Sequence, residues 1–302
     1  MIPRFPDNSR VAFIGDSITA ENLALRHIIR AYKDMGAKGI RFFNCGVAGG
    51  TADFAVTSYE KDIRRYKPTH ALVSFGINDS NRELLREERS PDRLRALLDA
   101  YGVYKKRLSE LVDMLLLDGV EVTVCTPVPY DEYSDGTEEA LPGGYALMLG
   151  YSEYVRNLAK EKGVRLYDQH RIISEMMAKE QIHSPDRIHP TPHGYYVLAR
   201  ELLKKQGIDI KEEPIPEYLS GWHSYVARLR KVLASECMLI PMLGLTFDSD
   251  TESKLTAARE RVDKGDFIMP VFESFFRAYV SDKPNEDELY RLVDEAYENG
   301  II

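Results

Sequence analysis

Five short apolar runs alternate with amphipathic stretches along residues 10–206, and this alternation limits the fold more than any other feature. Residues 10–14, 40–45, 70–75, 120–125 and 164–167 are short and apolar and read as buried strands. Residues 22–35 and 52–65 read as helices. So does a long stretch that grows out of the charged run 81–95 and reaches about Leu117. Residues 147–162 and 171–180 follow, and Pro190-Thr-Pro192 leads into a last helix ending near Gln206. Gly36, Asp118-Gly119 and Gly163 stand where helices stop. Strand and helix alternating five times imply an α/β fold with a parallel sheet covered on both faces.

The residues able to do chemistry fall just after these strands. Val11 to Ile14 is followed by Gly15, which permits a tight exit, and then by Ser17. A hydroxyl there sits at the carboxyl end of a strand, where open α/β sheets bind ligands. Asn44 to Thr51 is a glycine-rich turn after the second strand. Gly76-Ile-Asn-Asp79 ends the third, and Asp186-Arg-Ile-His189 lies in the loop before the last helix.

One mechanism uses all four stretches. A serine hydroxyl is a weak nucleophile near neutral pH and needs a base, which itself needs an orienting group. His189 suits the base because imidazole titrates near physiological pH. Asp186, three residues earlier, suits the orienting carboxylate. An oxyanion formed from a carbonyl needs converging donors, and the backbone N–H groups of Ser17 and Gly49 with the Asn78 amide supply them. Gly46 and Gly50 are alternatives to Gly49, which fits best by its distance from Asn44 and Thr51.

Taken together, Gly15-Asp-Ser17, the Gly49 turn, Gly76-Ile-Asn78-Asp79 and Asp186-Arg-Ile-His189-Pro190 resemble the four sequence blocks of the SGNH hydrolases, also called GDSL lipases and esterases. The resemblance covers about residues 8–206, with Ile18 where the family name has Leu. It implies a three-layer α/β/α flavodoxin-like fold with a five-stranded parallel sheet. It also implies ester hydrolysis with Ser17 as nucleophile, His189 as base, Asp186 as orienting acid, and Gly49 and Asn78 as oxyanion donors.

Simpler readings exist for each residue. Ser17 could cap a helix, Asn78 and Asp79 could form a turn, and Asp16 could bond nearby backbone N–H groups. His183, Asp186, His189 and His193 also offer a zinc-like ligand set. However, they include no Cys, and Pro190 and Pro192 prevent a helical display of His189 and His193. A metal would also leave Ser17 and Asn78 unexplained. The Gly-x-Ser-x-Gly elbow of another hydrolase class is excluded, because Gly15-Asp-Ser17-Ile-Thr19 lacks the second Gly.

Composition narrows the partners. A net charge of −8 argues against nucleic acid and anionic membrane surfaces. No apolar run has the length of a membrane span, and Met1 to Arg10 lacks the apolar segment of a signal peptide. Cys45 and Cys125 fall in predicted strands and Cys237 lies far away, the usage of reduced thiols in a cytoplasmic protein. The expected substrate is a small ester with a short acyl group, such as an acetylated carbohydrate, handled without cofactor or metal. A thioesterase or acyltransferase on the same triad is the enzyme alternative. A carbohydrate-binding or scaffold protein with a vestigial triad is the non-enzyme one.

Two further regions stand out. Loop 126–145 carries Tyr130, Tyr133 and Tyr145, and the 171–180 helix carries Met176 and Met177; both read mainly as packing, with roles in substrate contact or as a lid as alternatives. After the hydrolase domain, residues 1–206, Glu212-Glu-Pro-Ile-Pro216 reads as a linker. Leu219, Trp222, Val226, Leu229 and Leu233 then recur at helical spacing. Residues 207–302 are therefore expected to form a helical extension with a structural role or a homo-oligomer contact.

Overall fold

A computed structural model describes residues 2–211 apart from residues 22, 135 and 137. All but the first five residues of the predicted extension therefore lie outside the described residues. Five strands, β1 (Arg10–Gly15), β2 (Arg41–Gly46), β3 (His70–Ser74), β4 (Glu121–Cys125) and β5 (Arg165–Tyr167), form one sheet in the order β2-β1-β3-β4-β5. Every pair is parallel. The chain runs from β1 out to β2, then returns to β3 on the other side of β1. Strand order reverses there, and open sheets hold their ligands beyond the carboxyl ends at such a point. Those ends are level, because Gly46, Gly15, Ser74, Cys125 and Tyr167 pair across the sheet in one row.

Alternation along the strands divides the core. Ala12 and Ile14 of β1, Ala71 and Val73 of β3, and Val122 and Val124 of β4 point to one face. There they meet α3 (Ala52–Thr57), α5 (Pro91–Leu117) and α6 (Gly144–Lys162) through Ala55, Tyr104, Leu108, Leu111, Met148 and Val155. On the other face, Phe13 and Leu72 lie beside α2 (Leu23–Asp34) and α8 (Pro192–Lys205), with Ile28 and Leu198 among the residues between them. Burying such apolar side chains stabilises by about 1.5–3 kcal/mol each. The three-layer α/β/α arrangement follows from filling both faces.

Several boundaries differ from the sequence reading for identifiable reasons. The predicted helix over 52–65 is instead α3, a separate short α4 (Tyr59–Asp62) and a 3-10 turn at 64–66. At the break, the Thr57 hydroxyl donates to the carbonyls of Asp53 (3.1 Å) and Phe54 (2.9 Å), competing with the helix ladder. In the charged run before α5, residues 82–86 form a separate 3-10 turn, and α5 starts at Pro91, with Ser90 accepting from the Arg93 N–H. The helix α6 starts three residues earlier than predicted, at Gly144. Its first turn is capped from a distance: the Glu132 carboxylate accepts from the N–H groups of Gly143 (2.9 Å) and Tyr145 (3.1 Å). An additional turn of helix, α1 (Ser17–Ala20), begins at Ser17 itself. The 171–180 helix is α7 (Gln169–Met177), capped by Asp168. Among the described residues, no helix is long and apolar enough to cross a membrane.

Candidate active site

The site starts where β1 ends. Gly15 lets the chain turn in a space with no room for a side chain: a Cβ there would lie 2.2 Å from Thr19 Oγ1 and 2.7 Å from the Ser74 carbonyl oxygen. Asp16 caps α1, its carboxylate accepting from the Ile18 N–H at 3.0 Å. The sequence alternative of a capping role thus falls to Asp16, which leaves the Ser17 hydroxyl available. Asn44, at the end of β2, ties the neighbouring turn to this one: its amide donates to the Thr19 carbonyl at 3.0 Å and its oxygen accepts from the Gly46 N–H at 3.0 Å.

The loop before α8 brings the other half. His183 and Pro190 form an isolated antiparallel bridge, and the Ser184 N–H donates to the His189 carbonyl at 2.7 Å, closing residues 184–189 into a tight turn. Inside it, one oxygen of Asp186 accepts from the N–H groups of Ile188 and His189, both at 3.0 Å. The other oxygen lies 2.6 Å from His189 Nδ1. His189 Nε2 lies 2.8 Å from Ser17 Oγ. Partial burial would raise the Asp186 pKa, but the two backbone N–H bonds and the imidazole beside it hold the carboxyl below its ordinary value. Asp186 is thus held ionised, as the partner of an imidazole N–H must be.

Of the three candidate glycines, the geometry favours Gly49. The Gly46 N–H is taken by Asn44, and the Gly50 N–H donates to the Val47 carbonyl at 2.8 Å. Both are buried, whereas Gly49 is exposed and none of the described residues accepts from its N–H. Its φ of +74° is a left-handed conformation that glycine adopts without strain. The amide nitrogen of Asn78 donates one hydrogen to the Gly50 carbonyl at 3.1 Å, which fixes its orientation and leaves its second hydrogen unspent. The next residue secures the arrangement: one oxygen of Asp79 accepts from the Ala52 N–H at 2.8 Å, joining the end of β3 to the start of α3.

Asp79 and Asp16 form a feature the sequence reading did not foresee. The second oxygen of Asp79 is buried without a partner among the described residues. Burial pushes Asp79 up to about 6 against its bond to Ala52, and pushes Asp16 up to about 7 with the charge of Asp79 adding to the rise. Nothing local in Gly-Asp-Ser or Asn-Asp signals this, because it depends on both loops folding over the same spot.

The histidines proposed as an alternative ligand set stand in three different surroundings. His183 is buried, His189 is held between Ser17 and Asp186, and His193 faces Glu180 at 3.6 Å. Among the described residues, no group of three or more His, Cys, Asp or Glu side chains is arranged to hold a metal ion. In the 126–145 loop, Tyr130 is buried and accepts from the Leu141 N–H at 3.1 Å, while Tyr133 is 76% exposed. Tyr145 lies between them in burial, with its hydroxyl 3.1 Å from Ser174 Oγ. Met176 and Met177 are half-buried.

A family model described as the GDSL-like lipase/acylhydrolase family matches residues 13–197. An acetylxylan esterase of Geobacillus stearothermophilus is 26% identical over 177 residues, covering 57% of this chain and 74% of that protein. Among solved structures, a gut microbial diltiazem-metabolizing enzyme superposes with a TM-score of 0.58 at 26% identity, over 68% of this chain. This chain spans about half of that protein, 48% of its length. An acetyl xylan esterase structure from Geobacillus stearothermophilus superposes with a TM-score of 0.56 at 21% identity, over 69% of this chain and 99% of the other, a likeness of fold.

Proposed function

Because this chain belongs to the GDSL-like lipase/acylhydrolase family of carboxylic ester hydrolases, we propose that it cleaves short acyl esters, acetylated carbohydrates foremost, through an acyl-enzyme on Ser17. One observation carries the reading: the unbroken path from Asp186 through His189 to Ser17 Oγ, at 2.6 Å and 2.8 Å, beside an unspent Gly49 N–H and Asn78 amide hydrogen.

Ser17 Oγ attacks the ester carbonyl carbon while its proton passes to His189 Nε2. The carbonyl electrons move onto oxygen, and the Ser17 and Gly49 N–H groups with the Asn78 amide stabilise that charge. Asp186 holds Nδ1–H and stabilises the imidazolium. The intermediate collapses, the C–O bond to the alcohol breaks, and His189 returns the proton to the leaving oxygen. Water then attacks the acyl carbon with His189 as base, releasing the carboxylic acid and restoring Ser17. The substrate preference rests on the acetylxylan esterase relative.

The test is hydrolysis of p-nitrophenyl esters from acetyl to octanoyl, acetate release from acetylated xylo-oligosaccharides, and labelling by a small fluorophosphonate. Preference for acetyl esters with the label on Ser17 is expected. A folded protein that neither hydrolyses any of these esters nor takes the label would overturn the reading.

A further inference from the structure

Arg187 lies inside the Asp186–His189 turn, yet nothing in the reaction above uses it. Its φ is +68°, a left-handed backbone that side chains other than Gly, Asn and Asp rarely adopt. Its side chain is buried, with the whole residue 7% exposed. The guanidinium spends its donors on main-chain carbonyls of one segment of the 126–145 loop. Nε donates to Glu138 at 2.6 Å, and one terminal nitrogen donates to Asp131 at 3.2 Å and Ser134 at 2.8 Å. The attachment is reciprocal, because the Asp131 N–H donates to the Arg187 carbonyl at 2.9 Å. Gly136 lies against the guanidinium so closely that a Cβ would sit 2.9 Å from Arg187 Cζ. The Asp131 carboxylate folds the same segment from within, accepting from the N–H groups of Tyr133 (3.3 Å) and Ser134 (3.1 Å).

A planar fork bonded to three carbonyls in one segment is a geometric clamp, which lysine, a point donor on a flexible stem, does not reproduce. What it holds is the turn carrying Tyr133, a residue 76% exposed whose ring lies 6.0 Å from the ring of Tyr145. An exposed aromatic face on a fixed turn suits contact with a sugar or aromatic ring. The direction of the chemistry then matters: the alcohol departs toward His189 Nε2, two residues from Arg187. On that route the alcohol half of the ester would lie on the His189 side of the site, where the Asp186–His189 turn stands.

We propose that Arg187 is a positioning residue that clamps Asp131, Ser134 and Glu138 against the Asp186–His189 turn, and that the wall so formed, with Tyr133 on it, selects the alcohol portion of the ester. The proposal rests on the ester-hydrolase reading for its specificity half, but its clamp half does not.

Arg187→Gly tests both halves, since glycine adopts the left-handed backbone without strain while the whole side chain, guanidinium included, is removed. Hydrogen exchange at the Asp131 amide reads the clamp without any turnover and should accelerate tenfold or more. The specificity ratio, kcat/KM for an acetylated xylo-oligosaccharide over that for p-nitrophenyl acetate, should fall by about tenfold, mostly through KM, as expected when a substrate-positioning surface loosens. Arg187→Lys should recover only part of either change. Gly136→Ala strikes the same contact from the loop side and should shift the ratio in the same direction. Unchanged exchange at Asp131 in a folded Arg187→Gly protein overturns the clamp. Faster exchange with equal losses on both esters overturns the specificity role. If wild type hydrolyses neither ester, the functional reading fails, while the exchange measurement still decides the clamp.

Discussion

Ser17 Oγ and His189 Nε2 lie 2.8 Å apart across 172 residues of sequence. Neither is placed by the other. Ser17 is set by β1 and the Asp16 cap, His189 by the closed turn at 184–189, and the packing of α8 against α2 brings these two together. Each partner is therefore fixed before any substrate arrives, the preorganisation on which acyl transfer depends.

Replacing the proposed nucleophile tests the core of this arrangement. Ser17→Ala should fold with an unchanged circular dichroism spectrum and lose nearly all ester hydrolysis, because a methyl group forms no acyl-enzyme. Turnover close to wild type in a preparation verified by mass spectrometry would remove Ser17 from the mechanism.

Asp186, the proposed orienting acid, should matter almost as much. Asp186→Asn keeps an acceptor for the Ile188 and His189 N–H groups but favours the wrong imidazole tautomer, so kcat should fall by about 10³–10⁴ with little loss of stability. Steady-state kinetics paired with thermal unfolding reads both. A drop in stability that accounts for the lost activity would mean that Asp186 only holds the turn.

For Asn78→Ala, kcat should fall by about 10²–10³ while KM moves little, since the charge it meets develops only in the transition state. A change confined to KM would make Asn78 a ground-state contact instead.

Asp79 makes stability depend on pH. Its carboxyl is raised to about 6 in the folded protein, so below the ordinary carboxylate value near 4 both folded and unfolded chains hold the proton. Between about pH 4 and 6 the unfolded chain releases it first, the folded chain binds more protons, and stability contributed by this group is lost as pH rises. Asp79→Asn keeps an oxygen for the Ala52 N–H and cannot ionise. Urea midpoints compared from pH 4 to 7 should show the variant gaining on wild type as pH rises. Parallel curves would show that Asp79 titrates normally.

Crowding at the end of β1 gives a last measurement. Gly15→Ala drives a methyl group toward the Ser74 carbonyl on β3, and the overpacking should cost about 1–3 kcal/mol. Activity should fall as well, because relief comes most easily by moving the turn that carries Ser17. Thermal denaturation with an activity assay on the same sample checks both.

The fold was legible because its signals are local. Each strand is a short apolar run, and the groups of the candidate site stand one to five residues beyond strand ends or inside one loop. Features that depend on distant partners were not legible. The cap of α6 comes from Glu132, 11 and 13 residues before the N–H groups it meets, and the clamp at Arg187 from carbonyls about 50 residues earlier. Asp79 reads as a turn former and Asp16 as a partner for nearby backbone N–H groups, because nothing near either residue reports that the folded chain shuts water away from both.

The level row of strand ends, Gly46, Gly15, Ser74, Cys125 and Tyr167, separates the molecule into a chassis and a set of interchangeable attachments. Strand pairing is complete at that row, so a segment added or exchanged beyond it shifts no register beneath. A stretch grafted after β4 from another hydrolase would have to reproduce the carbonyls facing Arg187, the Glu132 cap of α6 and the buried Tyr130. A change of substrate would then be sought above the row, with the sheet left as it is.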